Sequence, residues 1–148
     1  VSARQQASVS EYIQSGLDQG ATLVAGGMGM PDGLETGFYV KPTVFADVTP
    51  DMTIWQEEIF GPVLSVLTFR TVDEAIQMAN NVPYGLSGGV WTDKGSKIFK
   101  VTKDIRAGVI WANTFNKFDP SSPFGGHKES GVGSEGGVEG LMGYVDLI

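Results

Sequence analysis

The stretch that decides the fold runs from Val63 to Asn113. It opens on Val63-Leu64-Ser65-Val66-Leu67-Thr68-Phe69 and closes on Gly108-Val109-Ile110-Trp111-Ala112-Asn113. The first run is almost continuously apolar, as expected of a strand covered on both faces. Thr71 and Glu74 then form a capping box, and Val72, Ala75, Ile76 and Ala79 follow at helical spacing. Pro83-Tyr84-Gly85 stops that helix, and Leu86 to Thr92 reads as a second strand. Asp93 is placed to cap a helix to about Ile105, with Ile98, Val101 and Ile105 inward. Strand, helix, strand, helix, strand implies right-handed crossovers. The expected fold class is α/β, a parallel sheet with helices packed on it.

Upstream, Ser2 with Gln5 starts a helix from about Ala3 to Gln19 that carries Val9, Ile13 and Leu17 on one face. Ala21 to Ala25 reads as a short strand ending in Gly26-Gly27. Phe38 to Val48 is β-rich, with Pro42 marking an edge or a bulge. A short helical segment is expected to end near Glu58. Downstream of Asn113, Thr114 to Gly137 is long, aromatic and glycine-rich without a sustained period, the mark of a functional loop. In parallel sheets ligands gather at the carboxyl ends of strands, where Asn113 sits. Leu141 to Ile148 reads as a closing strand.

Composition narrows the function. Among 148 residues there are 10 Lys plus Arg against 17 Asp plus Glu, a net charge of −7, and no basic cluster of the kind a nucleic-acid partner requires. There is no cysteine, which removes disulfides, cysteine–metal sites and a thiolate nucleophile from this chain. His127 is the single histidine, so a multi-histidine metal site is excluded. No apolar run approaches a membrane span, and no secretory leader is read at the start, so a cytoplasmic location is expected. The 21 glycines are about twice the usual ~7% share and point to close backbone approaches.

Two catalytic-looking patterns are weak in context. Gly131-Val132-Gly133-Ser134-Glu135-Gly136 spells a phosphate-binding G-x-G-x-x-G, yet it follows a loop rather than a strand; a flexible turn is the expectation. Gly85-Leu86-Ser87-Gly88-Gly89 spells a nucleophile elbow, with Asp119 and His127 in hydrolase order. Ser87, however, opens a strand instead of a helix. Glu57 and Glu58 are neighbours and diverge on a helix, so they are not a carboxylate dyad; one of them could accept hydroxyl donors in a pocket. Phe115, Phe118 and Phe124, normally core residues, could wall an apolar site.

Several words together are specific. Glu57-Glu58-Ile59-Phe60-Gly61-Pro62-Val63 resembles the E-E-x-F-G-P signature of the aldehyde dehydrogenase superfamily. Asn80-Asn81-Val82-Pro83-Tyr84-Gly85-Leu86-Ser87 resembles its N-x-x-x-Y-G-L segment, and Gly108 to Asn113 its G-x-x-x-x-N strand. Ser122-Pro123-Phe124-Gly125-Gly126-His127-Lys128-Glu129-Ser130-Gly131 is similar to P-F-G-G-x-K-x-S-G. Gly133 to Gly137 is similar to G-R-E-x-G, with Ser134 in place of the usual arginine.

The resemblance implies the C-terminal third or so of an NAD- or NADP-dependent enzyme that oxidises an aldehyde to a carboxylic acid. It implies a partial catalytic region over residues 1–140 and the start of an oligomerisation strand over residues 141–148. The cysteine nucleophile, the general-base glutamate and the coenzyme domain would lie upstream, leaving this chain alone inactive. In the parent, a cysteine thiolate attacks the aldehyde, hydride passes to the nicotinamide, and glutamate-activated water hydrolyses the thioester. By resemblance, Glu58 would hold the ribose hydroxyls and Phe60 would pack beside the nicotinamide. Phe118 and Phe124 would wall the aldehyde channel, with Thr114 close to the reacting carbon. Glu135 matches a glutamate near the pocket, a role the Ser134 departure puts in question. The implied partners are an aldehyde, a nicotinamide cofactor and further copies of the chain, with no nucleic acid and no membrane. The rival reading is a stand-alone binding or assembly domain.

Overall fold

The computed structural model describes residues 1–146. The chain divides into two compact units, Val1–Phe69 and the chain from Arg70 onward.

The first unit contains α1 (Ala3–Asp18), β1 (Thr22–Ala25), β2 (Thr43–Ala46), α2 (Thr53–Gln56) and β3 (Val63–Ser65). The Ser2 hydroxyl caps α1 by accepting from the Gln5 amide at 3.2 Å. The Gln5 side chain does not return the bond to the cap. It donates instead to the carbonyl of Phe60 at 3.0 Å. Val9 and Ile13, four residues apart on one face, are buried against Phe45 of β2 and Ile54 of α2. Phe45 is wholly buried, which stabilises the unit by about 1.5–3 kcal/mol.

The sheet of this unit has the order β1-β2-β3, antiparallel between β1 and β2 and parallel between β2 and β3. The β1–β2 ladder carries a register shift between Leu23 and Ala25. Two expectations change here. Pro42 precedes the central strand instead of marking an edge strand, and residues 38–42 stay outside the ladder. The Val63–Phe69 run forms a strand only to Ser65, with one more bond from the Val66 amide to the Phe45 carbonyl. Its partner β2 ends at Ala46, where Asp47 turns into the left-handed region with φ 55°, so residues 67–69 have no ladder to join. Leu64 and Phe69 are exposed, so the second face of this run is not covered within its unit.

The second unit contains α3 (Val72–Asn80), β4 (Tyr84–Gly85), β5 (Ser87–Val90), α4 (Gly95–Asp104), β6 (Val109–Ala112), β7 (Phe124–Gly125), β8 (His127–Lys128), β9 (Ser134–Glu135) and α5 (Gly137–Met142). Thr71 caps α3 by accepting from the Glu74 amide, while the Glu74 carboxylate accepts from the Arg70 amide at 2.7 Å. Asp93 does not cap α4: the helix begins one residue later than expected, with Lys94 at the cap position. The Thr92 hydroxyl accepts from the Lys94 amide in the preceding turn.

The parallel pairing expected of the crossover is present between β5 and β6, in register from Ser87↔Val109 to Val90↔Ala112. With the parallel β2–β3 ladder of the first unit and the helices beside both, the expected α/β class holds, with antiparallel ladders added in each unit. The long Thr114–Gly137 segment is also more ordered than its composition suggests. β7 pairs antiparallel with β9, and β8 pairs antiparallel with β4. The closing strand over residues 141–148 is not present in its described part. Leu141 and Met142 end α5, residues 143–146 form no strand, and residues 147–148 lie outside the described residues. A strand needs a ladder partner, and no described segment pairs with this one.

Candidate active site

The candidate residues divide between the two units. In the first, α2 ends at Gln56 and the chain extends through Glu57 to a left-handed residue, Phe60, at φ 52°. Ile59 is buried and acts as the anchor, while Glu58 and Phe60 on either side are exposed. Phe60 is 73% exposed, which leaves its ring face open to a ligand. Its unusual backbone is held by the bond from Gln5, and the next residue must be small: a Cβ on Gly61 would lie 2.6 Å from the Val9 side chain.

The two adjacent glutamates have different roles. The Glu57 carboxylate accepts a 2.7 Å hydrogen bond from the Tyr12 hydroxyl. Glu58 makes no hydrogen bond or ion pair among the described residues, so both its oxygens are open to donors.

In the second unit, β6 delivers Trp111 into the interior and Asn113 to the strand end. Asn113 is left-handed at φ 53°, a conformation asparagine tolerates better than most residues. Its amide side chain binds the Thr92 backbone twice, accepting from the N–H at 2.8 Å and donating to the carbonyl at 3.0 Å. The ends of the two parallel strands are thereby tied together just where the loop departs.

That loop folds back across the ladder. A Cβ on Gly108 would collide with the Gly125 carbonyl oxygen, so the segment carrying Phe124 crosses the start of β6 at backbone contact. Lys128 secures the far side: its ammonium donates to the carbonyls of Asn80 at 3.0 Å and Val82 at 2.9 Å, at the C-terminal end of α3. Asn80 in turn donates to the Asp104 carbonyl and accepts from the Arg106 amide, linking the ends of α3 and α4.

The result is an open groove of about 400 Å³ lined by Phe118, Asp119, Pro120, Ser122, Phe124, Glu135 and Gly136. Phe118 is 57% exposed and Phe124 half-buried, with ring centroids 5.0 Å apart at 85°. Glu135 sits directly opposite Phe124 across the β7–β9 ladder. Thr114 is half-buried and is not part of this lining. Asp119 adds a charge that the site reading missed; only its Asp-Pro-Ser-Ser turn chemistry signalled it. The Ser121 hydroxyl at 2.7 Å and the Ser121 amide at 2.9 Å donate to this carboxylate and hold its pKa below the ordinary 3.8.

The weaker patterns find no site. Ser87 is the exposed first residue of β5, with no helix following it as an elbow requires. His127 is exposed in β8. Gly131 and Gly136 are left-handed turn glycines on either side of β9, which lies inside the pattern, so Gly131 follows a turn and opens a strand and not the helix a phosphate-binding turn requires. Among the described residues no group of three His, Cys, Asp or Glu could hold a metal, and no helix is long and apolar enough to cross a membrane.

Known proteins match this chain in sequence and fold over nearly its whole length. The betaine aldehyde dehydrogenase of Rhizobium etli is 51% identical over 148 residues, covering 99% of this chain and 30% of the relative. The crystal structure of aldehyde dehydrogenase from Bartonella henselae superposes with a TM-score of 0.94 at 47% identity, over 99% of this chain and 30% of that one. The Mycobacterium tuberculosis aldehyde dehydrogenase complexed with NAD+ gives 0.90 at 51% identity, over 95% and 29%. This chain thus spans about 30% of the length of the relatives it matches. The model of the Aldehyde dehydrogenase family matches residues 1–147, and with that agreement in sequence and fold the chain belongs to the aldehyde dehydrogenase family.

Proposed function

We propose that this chain is the C-terminal portion of an NAD(P)-dependent aldehyde dehydrogenase that converts an aldehyde to a carboxylic acid. The observation that carries the reading is the aromatic groove of Phe118 and Phe124 at the end of the β6 segment. Within the other unit, the open carboxylate of Glu58 and the exposed ring of Phe60 supply groups suited to a coenzyme.

The residues fit a nicotinamide coenzyme by their chemistry. A carboxylate with both oxygens open accepts two hydroxyl donors, as a ribose diol offers. An exposed aromatic ring on an anchored backbone supplies an apolar face for a flat heterocycle. The coenzyme, when bound, supplies the hydride acceptor. Glu58 orients it through the ribose, and Phe60 limits its sideways movement. Phe118 and Phe124 take up the apolar part of the aldehyde and keep water from that side. Glu135 and Asp119 place negative charge at the rim. Thr114, just past the end of β6, is proposed to sit close to the reacting carbon. The thiolate that attacks the carbonyl must come from elsewhere in the parent, because this chain has no cysteine and is proposed to be inactive alone. The exposed Leu141, Tyr144 and Val145 are proposed to serve assembly into a homo-oligomer.

Glu58→Gln in the full-length protein tests the coenzyme assignment. It keeps the shape but weakens the ribose bonds, so hydride transfer should slow by roughly ten- to a hundredfold through lost orientation. Unchanged coenzyme affinity together with an unchanged hydride-transfer rate would overturn the assignment.

A further inference from the structure

Trp111 is the one aromatic residue of β6, and its surroundings differ from those of an ordinary core ring. It is 8% exposed, yet three loop rings that are more exposed gather on it. Phe115 meets it edge-on at 4.9 Å and 65°, Phe118 edge-on at 5.5 Å and 85°, and Phe124 lies near-parallel at 6.4 Å and 28°. Phe118 and Phe124 also contact one another. Trp111, Phe118 and Phe124 therefore close a triangle in which each ring fixes the other two.

The indole also holds the backbone. Its Nε1–H donates to the Lys117 carbonyl at 2.8 Å, one residue before Phe118. Between strand and clamp the chain passes through two left-handed asparagines, Asn113 at φ 53° and Asn116 at φ 56°. Conformations of this kind persist where surrounding structure enforces them. The indole is a donor only, so the Lys117 carbonyl is also what permits its burial.

We propose that Trp111 is a positioning residue for substrate selection: it touches neither aldehyde nor coenzyme but sets the spacing and tilt of Phe118 and Phe124, and so the width of the aldehyde channel. This rests on the proposed dehydrogenase function, in that the two phenylalanines must be channel walls for the spacing to matter. A tryptophan that served packing alone would lower the activity toward every aldehyde alike.

The test uses the full-length protein in wild-type form and as Trp111→Leu and Trp111→Phe. The phenylalanine variant keeps a ring and loses the donor, and it covers the case in which the leucine variant fails to fold. The kcat/KM ratio for phenylacetaldehyde over acetaldehyde should shift roughly tenfold in Trp111→Leu, chiefly through KM, and by less in Trp111→Phe. The coenzyme KM should stay within about twofold of wild type. In parallel, para-fluorophenylalanine at position 118 is read by fluorine NMR; its line should move or broaden in both variants. A folded variant with an unchanged fluorine line, or with all aldehydes affected equally, overturns the proposal. If the wild-type protein oxidises no aldehyde, the functional reading fails, and the fluorine line alone then decides whether Trp111 positions the ring.

Discussion

Gly108 and Gly125 meet backbone to backbone: the position a Cβ would take on Gly108 is already filled by the Gly125 carbonyl oxygen. This contact seats the loop bearing Phe124 on the first residues of β6. Gly108→Ala should therefore destabilise the protein by about 1–3 kcal/mol, the usual cost of overpacking where backbone must move. Gly95 at the start of α4, with no atom near its Cβ position, is the control. Gly95→Ala should be neutral or gain up to about 1 kcal/mol from helix propensity. Urea unfolding of both variants checks the contrast, and equal effects would deny the contact its role.

Lys128→Met keeps the aliphatic stem and removes the ammonium that binds the carbonyls of Asn80 and Val82. The expected loss is at most about 1.5–3 kcal/mol, the range for hydrogen bonds to a charged group. Hydrogen exchange should show it first at the C-terminal turn of α3, where the Asn81 amide is bonded to the Met78 carbonyl. Faster exchange spread evenly over the unit would contradict a local clamp.

These two contacts show what the sequence could and could not reveal. Val9 and Ile13, Thr71 with Glu74, and the Gly108–Asn113 run each declare their element through local spacing, and the structure agrees. The Phe124-Gly125 segment lies in a stretch legible only as an aromatic, glycine-rich loop, and not as a strand paired with Ser134–Glu135, because that ladder joins residues nine and eleven apart through a loop without periodicity. Asp93 was misread as a cap because Thr92, one residue earlier, supplies the turn. The apolar run to Phe69 overstated its strand because sequence does not show where the neighbouring strand stops. At the site, the sequence places Trp111 in a strand and no more; its hold on Phe118 depends on a bond to Lys117 that only the folded loop creates.

Asp119 gives a pH signature. Its carboxyl pKa is held below 3.8 by the Ser121 hydroxyl first and the Ser121 amide second. A depressed folded-state value adds stability above the unfolded pKa and loses it as pH falls through the folded value. Ser121→Ala removes the larger contributor, so the Asp119 midpoint should rise toward its ordinary value and the turn should loosen at a higher pH. A carboxyl-carbon NMR titration of both proteins reads this directly. An unmoved midpoint would show that the hydroxyl is not what holds the charge.

Phe124→Ala in the full-length protein should reorder aldehydes by kcat/KM and leave coenzyme binding nearly intact. Loss of a wall ring that contacts both Phe118 and Trp111 should penalise large apolar aldehydes by roughly ten- to two-hundredfold more than small ones. An unchanged ranking would return Phe124 to a packing role.

This chain is proposed to supply coenzyme and substrate contacts to an aldehyde dehydrogenase whose nucleophile lies outside it. The most direct measurement is aldehyde-dependent reduction of NAD(P)+, assayed side by side for the full-length protein and for this 148-residue chain. Reduction is expected with the full-length protein and none above the blank with the chain alone. Turnover by the cysteine-free chain, or no turnover by the full-length protein, would contradict the proposal.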